Sequence, residues 1–351
     1  MPRFLLAVLA CLSVMTVVPA QAEPVAGAGS TFAFPLLHRW GERFRTAEAD
    51  GGDFPSPDSG LDYEPIGSLA GTMRVIAGAV DFAASDVPLN GEDLDRHRLM
   101  QFPIAMGGIA VVANLPAAPP GSGDATLRLS GAVLADIYLG TVTSWSHPAL
   151  TALNPGLPLP DQPITVVHRA EGSGTTYNFA AYLAQASAPW RERVGVDSEL
   201  RWPTGTGVRG SQGIVETVKA TPGAIGYVEA GQAARAGLPV AEMGNRAGRF
   251  VAPSRQTVET AAASADWSRA PHFTLLLAES AAPDAYPVAA TVFALMPRDR
   301  IDGSRGRRTL RFFDGALTLW QQDATDLGYV PLPAPLVAHV RASWKSAPPA
   351  R

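Results

Sequence analysis

The chain has 351 residues, 46% of them hydrophobic and 17% charged, with a formal net charge of −4 at neutral pH. That is enough apolar material for a substantial core and more length than one compact lobe needs, so two lobes are expected. A mildly acidic chain without a basic run is poorly suited to nucleic acid or anionic membranes, so any anion it holds must be captured by a local site.

The first element lies outside the fold. Residues 1–22, MPRFLLAVLACLSVMTVVPAQA, combine one early arginine, an apolar run and the small-x-small ending Ala20-Gln21-Ala22, the pattern of a secretory signal peptide cut after Ala22. Ser13, Thr16 and Pro19 interrupt the run, which argues against a membrane anchor. Cys11, the only cysteine, falls inside this segment, so the mature chain is expected to have neither thiol nor disulfide. Val8-Leu9-Ala10-Cys11 loosely resembles a lipoprotein cleavage box, the alternative reading. Loss of Arg3 with the segment takes the formal charge to −5.

Three helices are then predicted, each with a glycine and a hydroxyl residue at its entrance. In GAGSTFAFPLLHRWGERF the residues Leu37, Trp40, Gly41 and Phe44 keep the spacing of a half-buried helix, with Ser30 or Thr31 as cap. In YEPIGSLAGTMRVIAGAVDFAASD the stripe is read as Met73, Ile76, Ala77 and Val80, with Ser68 at the entrance. In ITVVHRAEGSGTTYNFAAYL it is Phe179, Tyr182, Leu183 and Ala186, with Ser173 or Thr175 as cap. A helix start leaves backbone N–H groups without partners and attracts anions, and glycine lets a ligand approach them. Ordinary capping explains one such entrance; three in one chain, one beside Arg169, point to an anion site.

Between and after these helices, short β-rich runs (GIAVVANL, ITVVHR, GAIGYVEA, TVFALMP) alternate with helical patterns, which predicts an α/β fold. The acidic segment EADGGDFPSPDSGLDYEP reads as a solvated loop, with a weak cation site as the alternative. The six histidines lack metal-ligand spacing, and no Walker loop, G-x-S-x-G elbow or HExxH motif occurs, so neither a metal nor another cofactor is expected. Strand alternation turns His168 away from the side that Arg169 faces.

The motifs GAGSTFAFP, IGSLAGTMRVIAGAVDFAASDVPL, FPIAMGGIAVVAN, DIYLGTVTSW, HRAEGSGTTYNFAAYLA, PGAIGYVE and FFDGAL stand in that order from about Val25 to Trp344. Together they closely resemble the periplasmic phosphate-binding proteins that feed high-affinity phosphate ABC transporters. The resemblance implies a two-lobed periplasmic solute-binding protein fold of the α/β class, with a hinge and an interlobe ligand cleft. Lobe one would hold residues 23–105 plus 286–351, lobe two residues 106–285, with hinge turns near Pro103–Gly107 and Asp284–Val288. It also implies a monomer in the periplasm that captures inorganic phosphate and delivers it to the permease subunits of an ABC transporter, without catalysis.

By position, the family's phosphate contacts fall on Thr31, Phe32 (through its backbone N–H), Ser68, Asp86, Arg169, Ser173, Gly174 and Thr175. Arg169 offers a planar fork for two phosphate oxygens; its alternative role is a structural bridge to Glu171. Glu171 is a departure, because the family more often has aspartate there; the longer side chain is expected to support Arg169. Asp86 accepts a hydrogen bond from a protonated phosphate oxygen and repels sulfate, which has no proton, while its alternative role is a cap for the turn ASDVPL. Arsenate, with nearly the same shape and protonation as phosphate, is not distinguished by this argument. Two rival functions follow from other classes: a secreted phosphatase, for which Ser173 lacks an evident base, and a sensory or scaffold module using the same cleft.

Overall fold

The structure, a computed structural model, describes residues 23–49, 60–116 and 126–345. The signal-peptide reading with Cys11 and most of the acidic loop (50–59) lie outside the described residues. Among the described residues no helix is long and apolar enough to cross a membrane.

Eleven strands are described: β1 (Val25–Gly29), β2 (Leu61–Glu64), β3 (Phe82–Ser85), β4 (Leu99–Ala113), β5 (Arg128–Leu129), β6 (Thr165–Arg169), β7 (Thr206–Val208), β8 (Ala224–Glu229), β9 (Glu242–Gly244), β10 (Phe250–Val251) and β11 (Ala289–Pro297). Eight pair in the order β2-β1-β3-β11-β4-β8-β6-β7, and β10, β9 and β5 form a small second sheet. The α/β pattern read from the alternating runs is therefore present.

The sheet is really two half-sheets joined by one strand. β4 spans fifteen residues, all buried, as expected of a strand covered on both faces. Leu99–Gly108 of β4 pair with β11, and Ile109–Ala113 pair with β8. The chain thus passes from one half to the other within a continuous strand. Pro103, which lacks an N–H for the ladder, is accommodated by a register shift opposite Val292 and Phe293, so the segment Pro103–Gly107 is bulged strand rather than open turn. Each half has its own aromatic cluster. Phe82, Phe102, Phe312 and Phe313 interlock in the first, and Tyr138, Phe179, Trp202 and Tyr227 in the second, with centroids about 4.3 to 6.2 Å apart in the contacting pairs.

Two of the predicted helices bury the expected face. Leu37, Trp40 and Phe44 are buried in the helix Phe34–Ala49, and Phe179, Tyr182 and Leu183 in the helix Gly174–Ala186, whose Ala186 stays exposed. The helix Ser68–Ile76 does not. Met73 is 63% and Ile76 40% exposed, Ala77 is exposed too, and the buried face is Ser68, Gly71, Thr72 and Val75. The cause is close packing: a Cβ on Gly71 would lie 2.3 Å from the Cα of Gly29 in β1, so only the small-residue face can approach the sheet. The hydrophobic residues are displaced to the outside, and Val80 alone of that predicted stripe is buried, beyond the helix end.

Candidate ligand-binding site

Ligands in open α/β sheets gather beyond the carboxyl ends of the strands, and here the residues following β1, β2, β3 and β6 meet in one place. Ser30 follows β1, Ser68 opens the helix after β2, Asp86 follows β3, and Arg169 ends β6 ahead of Ser173–Thr175. The first three belong to one half of the sheet and the last group to the other. They touch. The Leu69 N–H donates to the Gly172 carbonyl at 3.3 Å, and the Asn178 side-chain amide donates to the Asp86 carbonyl at 2.7 Å. A Cβ on Gly174 would stand 2.6 Å from both the Asp86 Cβ and the Ser68 Oγ, so glycine is the residue that lets these walls meet.

Asp86 is 1% exposed, and its carboxylate receives the Ser30 hydroxyl at 2.7 and 2.9 Å to its two oxygens. Burial raises its pKa to about 7, against the lowering effects of the Ser30 hydrogen bond and the Arg169 charge. Burial thus opposes ionisation of this acid, although it faces a cation. Its alternative role as a turn cap is taken by Ser85, whose hydroxyl accepts from the Val87 N–H at 3.0 Å and donates to the Val87 carbonyl at 2.9 Å.

Arg169 is equally enclosed, at 3% exposure. Its Nε donates to Glu171 Oε1 at 2.8 Å, and its Nη2 donates to the same oxygen, which also accepts the Gly210 N–H at 3.0 Å. Glu171 thus fixes the guanidinium and ties it to the start of the helix Gly210–Ala220. The structural bridge foreseen as the alternative exists, but a guanidinium carries five N–H donors and the bridge engages two of its nitrogens. His168 stacks on Trp202 with ring centroids 4.5 Å apart, and burial lowers its pKa.

Of the remaining predicted residues, Ser68 and Gly174 lie against Asp86 and the others stand at the adjoining helix entrances. Ser68 Oγ accepts the Asp86 N–H at 3.3 Å. Ser173 caps the helix Gly174–Ala186 by accepting the Thr176 N–H at 3.3 Å. Thr175 is 1% exposed and its hydroxyl has no hydrogen-bond partner, as has Glu171 Oε2. Phe32 is fully buried, its ring edge-on to Tyr329 and its carbonyl accepting the Tyr329 hydroxyl at 2.5 Å. Thr31 is half-buried and does not cap its helix; its hydroxyl meets Ser211 at 3.0 Å across the two halves, while Ser30 accepts the Ala33 N–H at 3.2 Å.

Sequence reasoning missed three members of this cluster. Ser30 was legible only as a cap, and the Asp86 contact depends on two strands lying side by side. Asn178, one turn beyond Gly174 on the same helix, carried a usable signal, because it is a polar residue interrupting an apolar face. Tyr227, whose hydroxyl lies 2.6 Å from that of Thr176 and accepts the Arg169 N–H at 3.3 Å, reads as an ordinary core aromatic from sequence. Among the described residues no group of three His, Cys, Asp or Glu is placed to hold a metal ion.

Comparison with known proteins fits this arrangement. A family model described as a PBP superfamily domain matches residues 16–306. The phosphate-binding protein PstS of Xylella fastidiosa is 39% identical over 326 residues, which cover 93% of this chain and 86% of the relative. Among solved structures, the high-affinity periplasmic phosphate-binding protein PfluDING, bound with phosphate, aligns with a TM-score of 0.70 at 21% identity, covering 91% of this chain and 93% of its own. An ABC-type phosphate transport receptor from Vibrio cholerae aligns with a TM-score of 0.55 at 19% identity, covering 88% and 100%. These structures share the two-lobed fold. The chain belongs to the PBP superfamily and, within it, to the family of the phosphate-binding proteins PstS.

Proposed function

We propose that this protein binds inorganic phosphate between two lobes in the periplasm and hands it to the permease subunits of a phosphate ABC transporter. The observation that carries the reading is that buried Asp86 feels the Arg169 charge and lies against Gly174, at the helix start where the buried Thr175 hydroxyl has no partner. Such a set offers a cation, hydroxyl and backbone donors, and one acceptor that can receive a phosphate proton. Thr31, Phe32, Ser68 and Asp86 supply one wall, Arg169, Ser173, Gly174 and Thr175 the other, and Glu171 holds Arg169 in place. The relatives' phosphate-binding names and the transport-receptor name support the same reading.

The lobes are taken as residues 23–105 plus 286–351 and residues 106–285, joined through β4 and the stretch before β11. The role is binding rather than catalysis: the Ser173 oxygen accepts a helix N–H, and the neighbouring acid, Glu171, is committed to Arg169. Calorimetry with phosphate and sulfate tests the reading. Phosphate should bind tightly and sulfate should not, and saturating phosphate should raise the melting temperature by mass action. Failure to bind phosphate overturns it.

Closure gives an independent expectation. If phosphate draws two lobes together, small-angle scattering should show a smaller radius of gyration with ligand than without it. Gly174→Val places a branched side chain where even a Cβ would lie 2.6 Å from Asp86 and Ser68. This variant should lose the compaction and weaken phosphate binding, because an overpacking cost of about 1–3 kcal/mol would fall on the closed state alone. A Gly174→Val protein that still compacts on phosphate would show that these walls do not close on each other.

A further inference from the structure

We propose that Ser30 is a positioning residue for anion selectivity: its hydroxyl, aimed at Asp86, holds that carboxylate as an acceptor towards the ligand and so sets how strongly a fully ionised anion such as sulfate is refused. This rests on the phosphate reading above and deepens it.

The geometry leaves the Ser30 proton little choice. The backbone N–H of Ser30 donates to the Ala84 carbonyl at 2.8 Å, and its carbonyl accepts the Tyr63 hydroxyl at 3.0 Å, so the residue is fastened to β3 and β2. Its Oγ accepts the Ala33 N–H at 3.2 Å, which occupies a lone pair and turns the hydroxyl hydrogen away. The Asp86 oxygens lie 2.7 and 2.9 Å from Oγ on the other side. Both residues are 1% exposed, so water does not substitute for the bond. Among the described residues, Ser30 is the donor to that carboxylate. A carboxylate offers about four acceptor positions, so one shared hydroxyl leaves room for a ligand proton.

The charged and titratable groups around Asp86 are few. Arg169 approaches from β6 with Glu171 behind it, Tyr63 from β2, and Tyr329 from beside Phe32. Burial raises both tyrosines, so neither ionises near neutral pH. Arg169 and Ser30 are therefore the groups that favour the ionised acid, and burial opposes them. Arg169 also contacts the ligand in this reading. Ser30 is the member of the pair free to tune the acid alone.

A protonated Asp86 would donate to sulfate instead of repelling it. Sulfate affinity should thus fall about tenfold per pH unit once Asp86 ionises, and removing the Ser30 donor should displace that fall upward by roughly one pH unit. The test is competition of sulfate against labelled phosphate from pH 6 to 9 on the mature chain and on Ser30→Ala, Ser30→Cys and Ser30→Thr. Cysteine keeps the volume with a weak donor, and serves if alanine fails to fold; threonine keeps the hydroxyl. The expected result is that the alanine and cysteine proteins admit sulfate roughly tenfold better than wild type at pH 8, while threonine follows wild type. Alanine or cysteine profiles that superpose on a wild-type profile showing phosphate binding and sulfate refusal overturn the role of Ser30. A wild-type protein that takes sulfate as readily as phosphate at every pH removes the role of Asp86 and this proposal together, and one that binds no phosphate overturns the reading itself.

Discussion

Arg169→Ala should weaken phosphate binding by about 2–4 kcal/mol, a loss of roughly 30- to 900-fold in affinity. The loss follows from what the side chain leaves behind. Arg169 is buried between two acids: Glu171 accepts from its Nε and Nη2, and Asp86 feels its charge. Without the guanidinium, the anion enters a closed site that holds carboxylates and no cation within it. Asp86 would answer by keeping its proton to higher pH, since the Arg169 charge is one of the two influences that lower its pKa. The residual affinity of the variant should therefore improve as pH falls, whereas a residue acting only through packing would lose affinity equally at all pH values. Calorimetry at pH 6 and pH 8 on a protein whose circular dichroism matches wild type decides the matter. Unchanged affinity would mean that the guanidinium serves only to hold Glu171 and the Gly210 turn.

The same residues show how far sequence carries the argument. The strand-to-helix units around Thr31, Ser68 and Arg169 were legible because their signals are local: glycine, a hydroxyl, then an apolar stripe at helical spacing. The error on the helix Ser68–Ile76 has an equally local origin. Hydrophobicity alone ranks Met73 and Ile76 as the inward face, but Gly71 allows a backbone approach to Gly29 that only a small-residue face can make. Close packing of small residues outweighed the apolar stripe, and periodicity counts do not register it. The bulge opposite Val292, the Ser30–Asp86 pair and the Asn178 tie to the Asp86 carbonyl are contacts across more than fifty residues or across a strand ladder. Nothing in the local pattern announces them. Nor does the run ASDVPL reveal that Ser85, and not Asp86, caps its turn.

Asp86→Asn should make the ligand-free protein more stable at pH 8 and less selective for its ligand. The pKa of Asp86 is raised from 3.8 to about 7, chiefly by burial. Between those values the folded chain keeps a proton that the unfolded chain releases. Stability from this group is therefore full below about pH 4, falls as pH rises towards 7, and is lost above it. Three pH units correspond to about 4 kcal/mol for the closed chain, an upper bound because the burial that raises Asp86 is lost where the ligand-free lobes part, so the variant should melt higher at pH 8, with the gap closing by pH 4. Glu229 is also buried and raised to about 7, but it is present in both proteins, so the difference between their curves isolates Asp86. Melting temperatures measured without phosphate from pH 4 to 8 are the check, and a gap independent of pH would show that Asp86 does not titrate in this range. The same variant replaces an acceptor with an amide whose Oδ1 can keep the Ser30 hydrogen bond while its N–H groups are left for the ligand. Sulfate then meets an N–H where it met a bare carboxylate, so added sulfate should raise the melting temperature of the variant at pH 8 and leave wild type unmoved. The acid is in this view a destabilising group retained for discrimination. A variant that is more stable yet refuses sulfate as wild type does would separate the two effects and place the discrimination elsewhere in the cleft.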